Sequence, residues 1–240
     1  MPDFVQLWVY LASTPLFGLA ATLATYVLVH AAYDGLGRAP WANPVLWSVV
    51  AIAVILVATR TPYPTYFAGA QFVHVLLGPA VVALAWPLWL RRAELRRRGV
   101  ALVTAALAGG AAAAGSAVAL GALLGLPADV LRSLAPKSVT APVAMGIAER
   151  LGGVPALAAV MAVLTGMVGA LSARYLFNAL GIRSWAVRGF ALGTASHGLG
   201  AARALQVDAD AGAYAGIALG LQVLLGSLLM PLVGHWLAGP

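Results

Sequence analysis

A lysine flanked by prolines inside an apolar stretch is chemically demanding, and the run Leu134-Ala135-Pro136-Lys137-Ser138-Val139-Thr140-Ala141-Pro142 contains one. An unpaired lysine at the centre of a membrane segment costs about 2.5–3.5 kcal/mol, so Lys137 should face a partner or a water-filled cavity. Pro136 and Pro142 keep the chain between them from forming continuous helix. The N–H and C=O groups thus freed are tolerated at membrane depth only where they line a cavity or are buried in protein. Ser138 and Thr140 add hydroxyls, and a half-helix beginning here would add about half a positive charge at its N-terminus. A small anion suits that set. The alternative is a lysine snorkelling from a loop that ends the segment, near Asp129 and Arg132.

A second run, Gly193-Thr194-Ala195-Ser196-His197-Gly198-Leu199-Gly200-Ala201-Ala202-Arg203, combines small residues with donors. Gly198 and its neighbours let the backbone approach a ligand closely, while Thr194, Ser196 and His197 can bond to hydroxyl or carbonyl groups. Arg203 suits bidentate carboxylate recognition. The alternative is an interfacial Arg203 and a His197 satisfied by helix packing. Within these two segments Lys137 and Arg203 face only Glu149, since Asp208 and Asp210 follow in a loop. Surplus positive charge in a low-dielectric bundle is unfavourable, and a bound carboxylate would neutralise it. Lys137 and Arg203 are therefore assigned to the carboxylate. Glu149 and His197 are candidates for proton coupling, although Glu149-Arg150 also reads as an ordinary interfacial pair.

Other chemistries lack their residues. There is no His-Glu-x-x-His, no Gly-x-Ser-x-Gly and no phosphate-binding Gly-x-x-x-x-Gly-Lys-Ser/Thr, so no catalytic residue is assigned. The chain has no cysteine, which excludes disulfides, iron–sulfur clusters and thiolate zinc sites. His30, His74 and His235 have no metal-ligand spacing; no metal or cofactor is expected. The net charge of +7 does not point to nucleic acid, because Arg91, Arg92, Arg96, Arg97 and Arg98 cluster directly after an apolar segment, where they read as a cytoplasmic topology signal.

The elements that must position these residues follow from composition. Of 240 residues, 62% are hydrophobic and 9% charged, and the mean hydropathy is +0.93. Uncharged stretches such as Phe4 to Tyr33 and Ala211 to Pro240 exceed the roughly 20 apolar residues that cross a bilayer, and strand-type alternation is missing. The expected class is an all-α polytopic integral membrane protein, one membrane domain over 1–240 with about seven to eight membrane segments. They fall near 5–32, 44–60, 65–90, 99–125, 129–148, 153–180, 186–206 and 211–238. Segments 129–148 and 186–206, broken by prolines or glycines at polar residues, are the least convincing as straight spans, and 129–148 is a candidate re-entrant segment. The N-terminal segment reads as retained rather than as a cleaved signal. Leu77-Gly78-Pro79-Ala80-Val81-Val82-Ala83 weakly repeats Leu134 to Thr140, and paired interruptions in two halves point to a transporter site, which adds Pro79 to Pro136 and Pro142 as residues holding half-helices open.

At these motifs the chain resembles the LrgB/CidB family of bacterial membrane proteins. The family's Leu-x-Pro-Lys-Ser-Val-Thr-x-Pro pattern is similar to Leu134 to Pro142, its Ile-Gly-Gly-x-Pro to Leu151 to Pro155, its Thr-Gly to Thr165-Gly166, and its Gly-x-Ala-x-Gly-Thr-x-Ser/Ala-His-x-Ile-Gly-Thr-Ala-Arg-Ala to Gly189 to Ala204. The likeness runs from about Gln71 to Pro231. Val81 and Ala201 stand where the family usually has threonine. The resemblance implies an inverted-repeat, bile-acid-symporter-like fold with crossed broken helices, in a multi-pass protein of the bacterial inner membrane. It implies either transport of small monocarboxylates such as glycolate, glycerate, lactate or pyruvate, or antiholin-like regulation of murein hydrolases. A small LrgA/CidA-like membrane partner, membrane lipid and a homo-oligomer are the expected associations, with a small organic anion as substrate.

Overall fold

The computed structural model describes residues 15–76, 79, 85–90 and 92–237. Among them every regular element is helical: α1 Pro15–Gly35, a 3-10 turn Pro40–Ala42, α2 Pro44–Ala58, α3 Tyr63–Val75, α4 Ala85–Leu90, α5 Arg92–Leu123, α6 Ala128–Leu134, α7 Ala141–Leu151, α8 Pro155–Ala179, α9 Trp185–Val207 and α10 Ala209–Leu237. Four helical stretches are long and apolar enough to cross a membrane: Leu16–Gly35, Arg96–Leu123, Pro155–Ala179 and Ala209–Leu232. These correspond to four of the eight expected segments. The shorter apolar helix Pro44–Ala58 falls on a fifth. Segment 65–90 falls on α3 and α4, with 77, 78 and 80–84 outside the described residues.

The chain forms two compact units, Met1–Ala80 and Val81–Pro240. In the first, α1 packs on α2 and α3, where Gly18 lets the Tyr66 carbonyl come close and Thr22 Oγ1 meets the Tyr66 hydroxyl at 2.7 Å. Asn43 caps α2, its side chain accepting from the Val45 and Leu46 amides, and Pro44 fills the first helical position, where no donor is needed.

In the second unit, α5 and α10 run in the same direction. Leu102 and Ala106 pack with Ile217 and Leu221, and near the start of both helices the Tyr214 hydroxyl donates to Glu94. The Gln222 amide, further along, donates to the Ala106 carbonyl at 2.6 Å, so this polar side chain is satisfied inside the bundle.

Two stretches fold back instead of crossing. Between α6 and α7 the chain turns through 135–140, and the Val154 amide then donates to Ser133 Oγ at 2.8 Å. A straight helix would put these residues about 30 Å apart. We call 128–154 the proline hairpin. In α9, Ser196 (φ −127°, ψ 16°) and His197 (φ 42°, ψ −135°) leave helical geometry. A Cβ on Gly200 would stand 2.7 Å from the Leu192 carbonyl oxygen, and Ala204 shares a buried cluster with Leu192. Those pairs are nearly symmetric about Ser196, so 198–207 returns along 185–195. This is the glycine hairpin. Its first arm lies alongside α10, where Gly189 and Gly193 admit the carbonyls of Ala211 and Ala215, the close backbone approach that small residues allow between membrane helices. The Asp208 carboxylate caps α10 by accepting from the Asp210 and Ala211 amides.

Candidate functional site

The two hairpins enter from opposite ends of α8. The proline hairpin joins the N-terminal end of α8 through Val154, and the glycine hairpin follows its C-terminal end across residues 180–184. Both turns reach the same stretch of α8. Val139 is buried with Ala144, Ala158 and Ala162, and the His197 Nε2 lies 2.7 Å from the Ala162 carbonyl oxygen. Sequence alone suggested two breaks; their convergence on Ala162 is a property of the fold.

At the proline turn, Pro136, Ser138, Val139 and Thr140 are buried while Lys137 is half-buried. The Lys137 and Val139 amides bond back to the Leu134 and Pro136 carbonyls, so this stretch is a tight turn series. Lys137 makes no ion pair among the described residues. Ser138 Oγ and Thr140 Oγ1 are buried without a hydrogen-bond partner among the described residues, as is Thr194 Oγ1 on the first arm of the glycine hairpin. A buried hydroxyl without a partner forfeits about 1–3 kcal/mol of solvation, and such groups are uncommon in native proteins. Three such hydroxyls lie in these two hairpins, two on the proline turn and one on the first arm of the glycine hairpin.

The glycine turn differs. Ser196 is buried against Gly169, and His197 fills the space left by Gly166. His197 sits at a positive φ that side chains rarely adopt, and its ring bond to Ala162 helps to hold it there. Gly198 follows it, half-buried, with open space where a Cβ would be.

Other expected residues lie elsewhere. Arg203 lines a cavity of about 400 Å³ together with Arg174 and Arg188, beside Ala173 and Phe177 of α8. That is about 16 Å along α8 from Ala162, so the fold does not bring Arg203 to the Lys137 turn. Glu149 and Arg150 are exposed near the end of α7. Pro79 belongs to the first unit, and most of the motif around it, 77, 78 and 80–83, falls outside the described residues. Sequence reasoning quoted Gly166 only as part of the Thr165-Gly166 family motif and did not single out Gly169, yet both make room for the glycine turn.

Residues 22–236 match the LrgB-like family. The chain belongs to that family. This bears out the likeness seen in the motifs and extends it toward the N-terminus. Among relatives, an uncharacterized protein YxaC of Bacillus subtilis is 34% identical over 88% of this chain and 92% of its own length. An uncharacterized protein of Haemophilus influenzae is 32% identical over 80% and 83%. The holin-like protein CidB of Staphylococcus aureus is 29% identical over 81% and 85%. No solved structure matches. In this LrgB-like protein, the proline turn with Lys137 and the glycine turn with His197 both bring non-helical backbone to the Ala162 stretch of α8.

Proposed function

We propose that this LrgB-like chain is a secondary transporter, or the membrane-embedded transport subunit of one, for small monocarboxylates of the 2-hydroxy or 2-oxo class. The observation that carries the reading is the group of buried hydroxyls without a partner among the described residues, Ser138 and Thr140 at the proline turn and Thr194 on the first arm of the glycine hairpin just before its turn, with the Lys137 ammonium at the proline turn. A carboxylate would accept from Lys137, and a neighbouring hydroxyl or carbonyl group would complete the serine and threonine bonds. Hairpins entering from opposite ends place irregular backbone where it can line a cavity, as a membrane interior requires. His197 serves the turn's geometry, and Arg203 belongs to a different cavity.

Charge distribution supports an orientation. Arg92, Arg96, Arg97, Arg98, Arg174, Arg183, Arg188 and Arg203 lie toward the end of the second unit where α5 and α10 begin. Arg132 and Arg150 lie toward the other end, with Asp129 and Glu149. Cytoplasmic ends carry the excess of arginine and lysine, so the arginine-rich end faces the cytoplasm of a bacterial inner membrane. Folding back of the glycine hairpin puts Arg203 on the same side as Arg188, which an unbroken α9 would not.

A second reading is backed more directly by the comparisons, because several relatives are named holin-like: a regulator of wall hydrolysis and lysis that acts by oligomerising or by pairing with a small membrane partner. Proteoliposomes distinguish the two. Transport predicts saturable uptake of labelled glycolate, pyruvate or lactate that Lys137→Ala abolishes. Dye leakage that persists in Lys137→Ala, without saturable flux, would establish the holin-like reading instead.

A further inference from the structure

The cavity of about 400 Å³ between α8, α10 and both arms of the glycine hairpin carries Arg174, Arg188 and Arg203 on its wall. Arg188 and Arg203 come from opposite arms and meet there only because the chain reverses at Ser196–His197. Arg188 is fixed in place: its Nε donates to the Ile182 carbonyl at 2.6 Å and a terminal nitrogen to Asn178 Oδ1 at 2.7 Å. Its guanidinium also lies 5.9 Å from the Phe177 ring centroid and 5.1 Å from that of Trp185. A guanidinium held in one orientation is suited to bidentate bonding of a carboxylate or phosphate. Behind them the cavity is apolar, reaching Leu192 and Ala211, and no carboxylate is among its described lining residues. Its volume falls in the range of roughly 300–1,000 Å³ typical of small-molecule sites and exceeds what a bare phosphate or carboxylate fills.

We propose that this arginine-walled cavity is a second binding site, for an amphipathic anion whose phosphate or carboxylate head meets Arg174, Arg188 and Arg203 and whose apolar body enters between α8 and the glycine hairpin. The site is separate from the Lys137 turn. Its ligand has two possible sources, an anionic phospholipid of the adjacent leaflet or a soluble organic anion.

The test uses the purified full chain in a neutral detergent, with thermal unfolding followed against hexyl phosphate, inorganic phosphate, phosphatidylglycerol and phosphatidylcholine. Hexyl phosphate should raise the unfolding midpoint saturably, and more than inorganic phosphate does. Loss of charge-assisted bonds in the double variant Arg174→Gln/Arg203→Gln should weaken half-saturation by about ten- to a hundredfold. Arg174 is exposed on α8, so Arg174→Gln alone tests the site without threatening the fold and should weaken it by about tenfold. Arg96→Gln/Arg97→Gln, which removes exposed charge from α5 near the same end, should leave binding intact, as should Lys137→Ala. Competition by phosphatidylglycerol but not phosphatidylcholine identifies lipid as the source; hexyl phosphate binding without such competition identifies a soluble anion. The proposal is overturned by any of three results: no saturable stabilisation, a wild-type response in Arg174→Gln, or loss of the response in Lys137→Ala, which would place the ligand at the other turn.

Discussion

The two hairpins solve one problem, reversing a chain inside an apolar bundle, in opposite ways. The proline hairpin reverses through a run of turns at 135–140 and leaves Ser138 and Thr140 buried with no hydroxyl partner among the described residues. The glycine hairpin reverses at two residues, and the turn residues are committed to structure: Ser196 packs on Gly169, and His197 is bonded to the Ala162 carbonyl. Polar residues at a break are thus not equivalent. Those with protein partners shape the turn, and those without one among the described residues are where the proposed substrate would bind.

Breaking the glycine hairpin should have the largest effect. A methyl on Gly189 or Gly193 would collide with the backbone carbonyl of Ala211 or Ala215, and neither backbone can yield without separating the hairpin from α10. Overpacking costs about 1–3 kcal/mol where side chains can adjust, and here the obstacle is main chain. Gly193→Ala and Gly189→Ala should each lower the unfolding midpoint by more than His197→Ala or Ser196→Ala does, or abolish folded yield. Gly198→Ala, where a Cβ meets open space, is the matched control and should fold normally. Equal behaviour of Gly193→Ala and Gly198→Ala would refute the tight pairing of this arm with α10.

The next effect sharpens the assignment of His197 to structure. His197→Ala removes the bond to Ala162 and keeps a Cβ at φ 42°, whereas His197→Gly removes the bond and relieves the backbone. Loss of a buried bond that leaves its partner unsatisfied costs about 1–3 kcal/mol, and glycine should recover about 1 kcal/mol of it at this φ. Chemical or thermal denaturation should therefore rank wild type above His197→Gly, and His197→Gly above His197→Ala. A variant ranking of alanine above glycine would mean that the turn is not strained.

The breaks themselves were legible in the sequence, because proline and glycine act locally: Pro136 and Pro142 bracket one turn, and glycines crowd the other. Segment lengths were legible for the same reason, since α5, α8 and α10 each follow a long apolar run. Chain reversal in α9 was not. Its turn residues are serine and histidine, and nothing in their types announces a positive φ; the decision is made by the close seat of Gly166 and Gly169 on a separate helix. Arg203 illustrates the consequence. Read along the chain it sits six residues from His197 and belongs to the same motif, yet the return of 198–207 carries it to Arg174 and Arg188.

The smallest expected change in stability makes the sharpest cut between polar residues with and without protein partners at the two hairpins. Thr140→Val and Thr194→Val replace an unpartnered buried hydroxyl by a methyl of similar size. Removing a polar group that gains nothing in the folded protein should leave stability unchanged or raise it by up to about 1 kcal/mol. The same substitutions should abolish the stabilisation that glycolate or lactate confers on wild type, since a ligand that binds only the native state raises its apparent stability by mass action. Ser196→Ala should do the reverse, leaving the ligand response in place while costing some packing beside Gly169. If Thr140→Val were destabilising by as much as Ser196→Ala, the hydroxyl would be holding the turn, and the contrast between a turn that supports itself and a turn that awaits a ligand would fail.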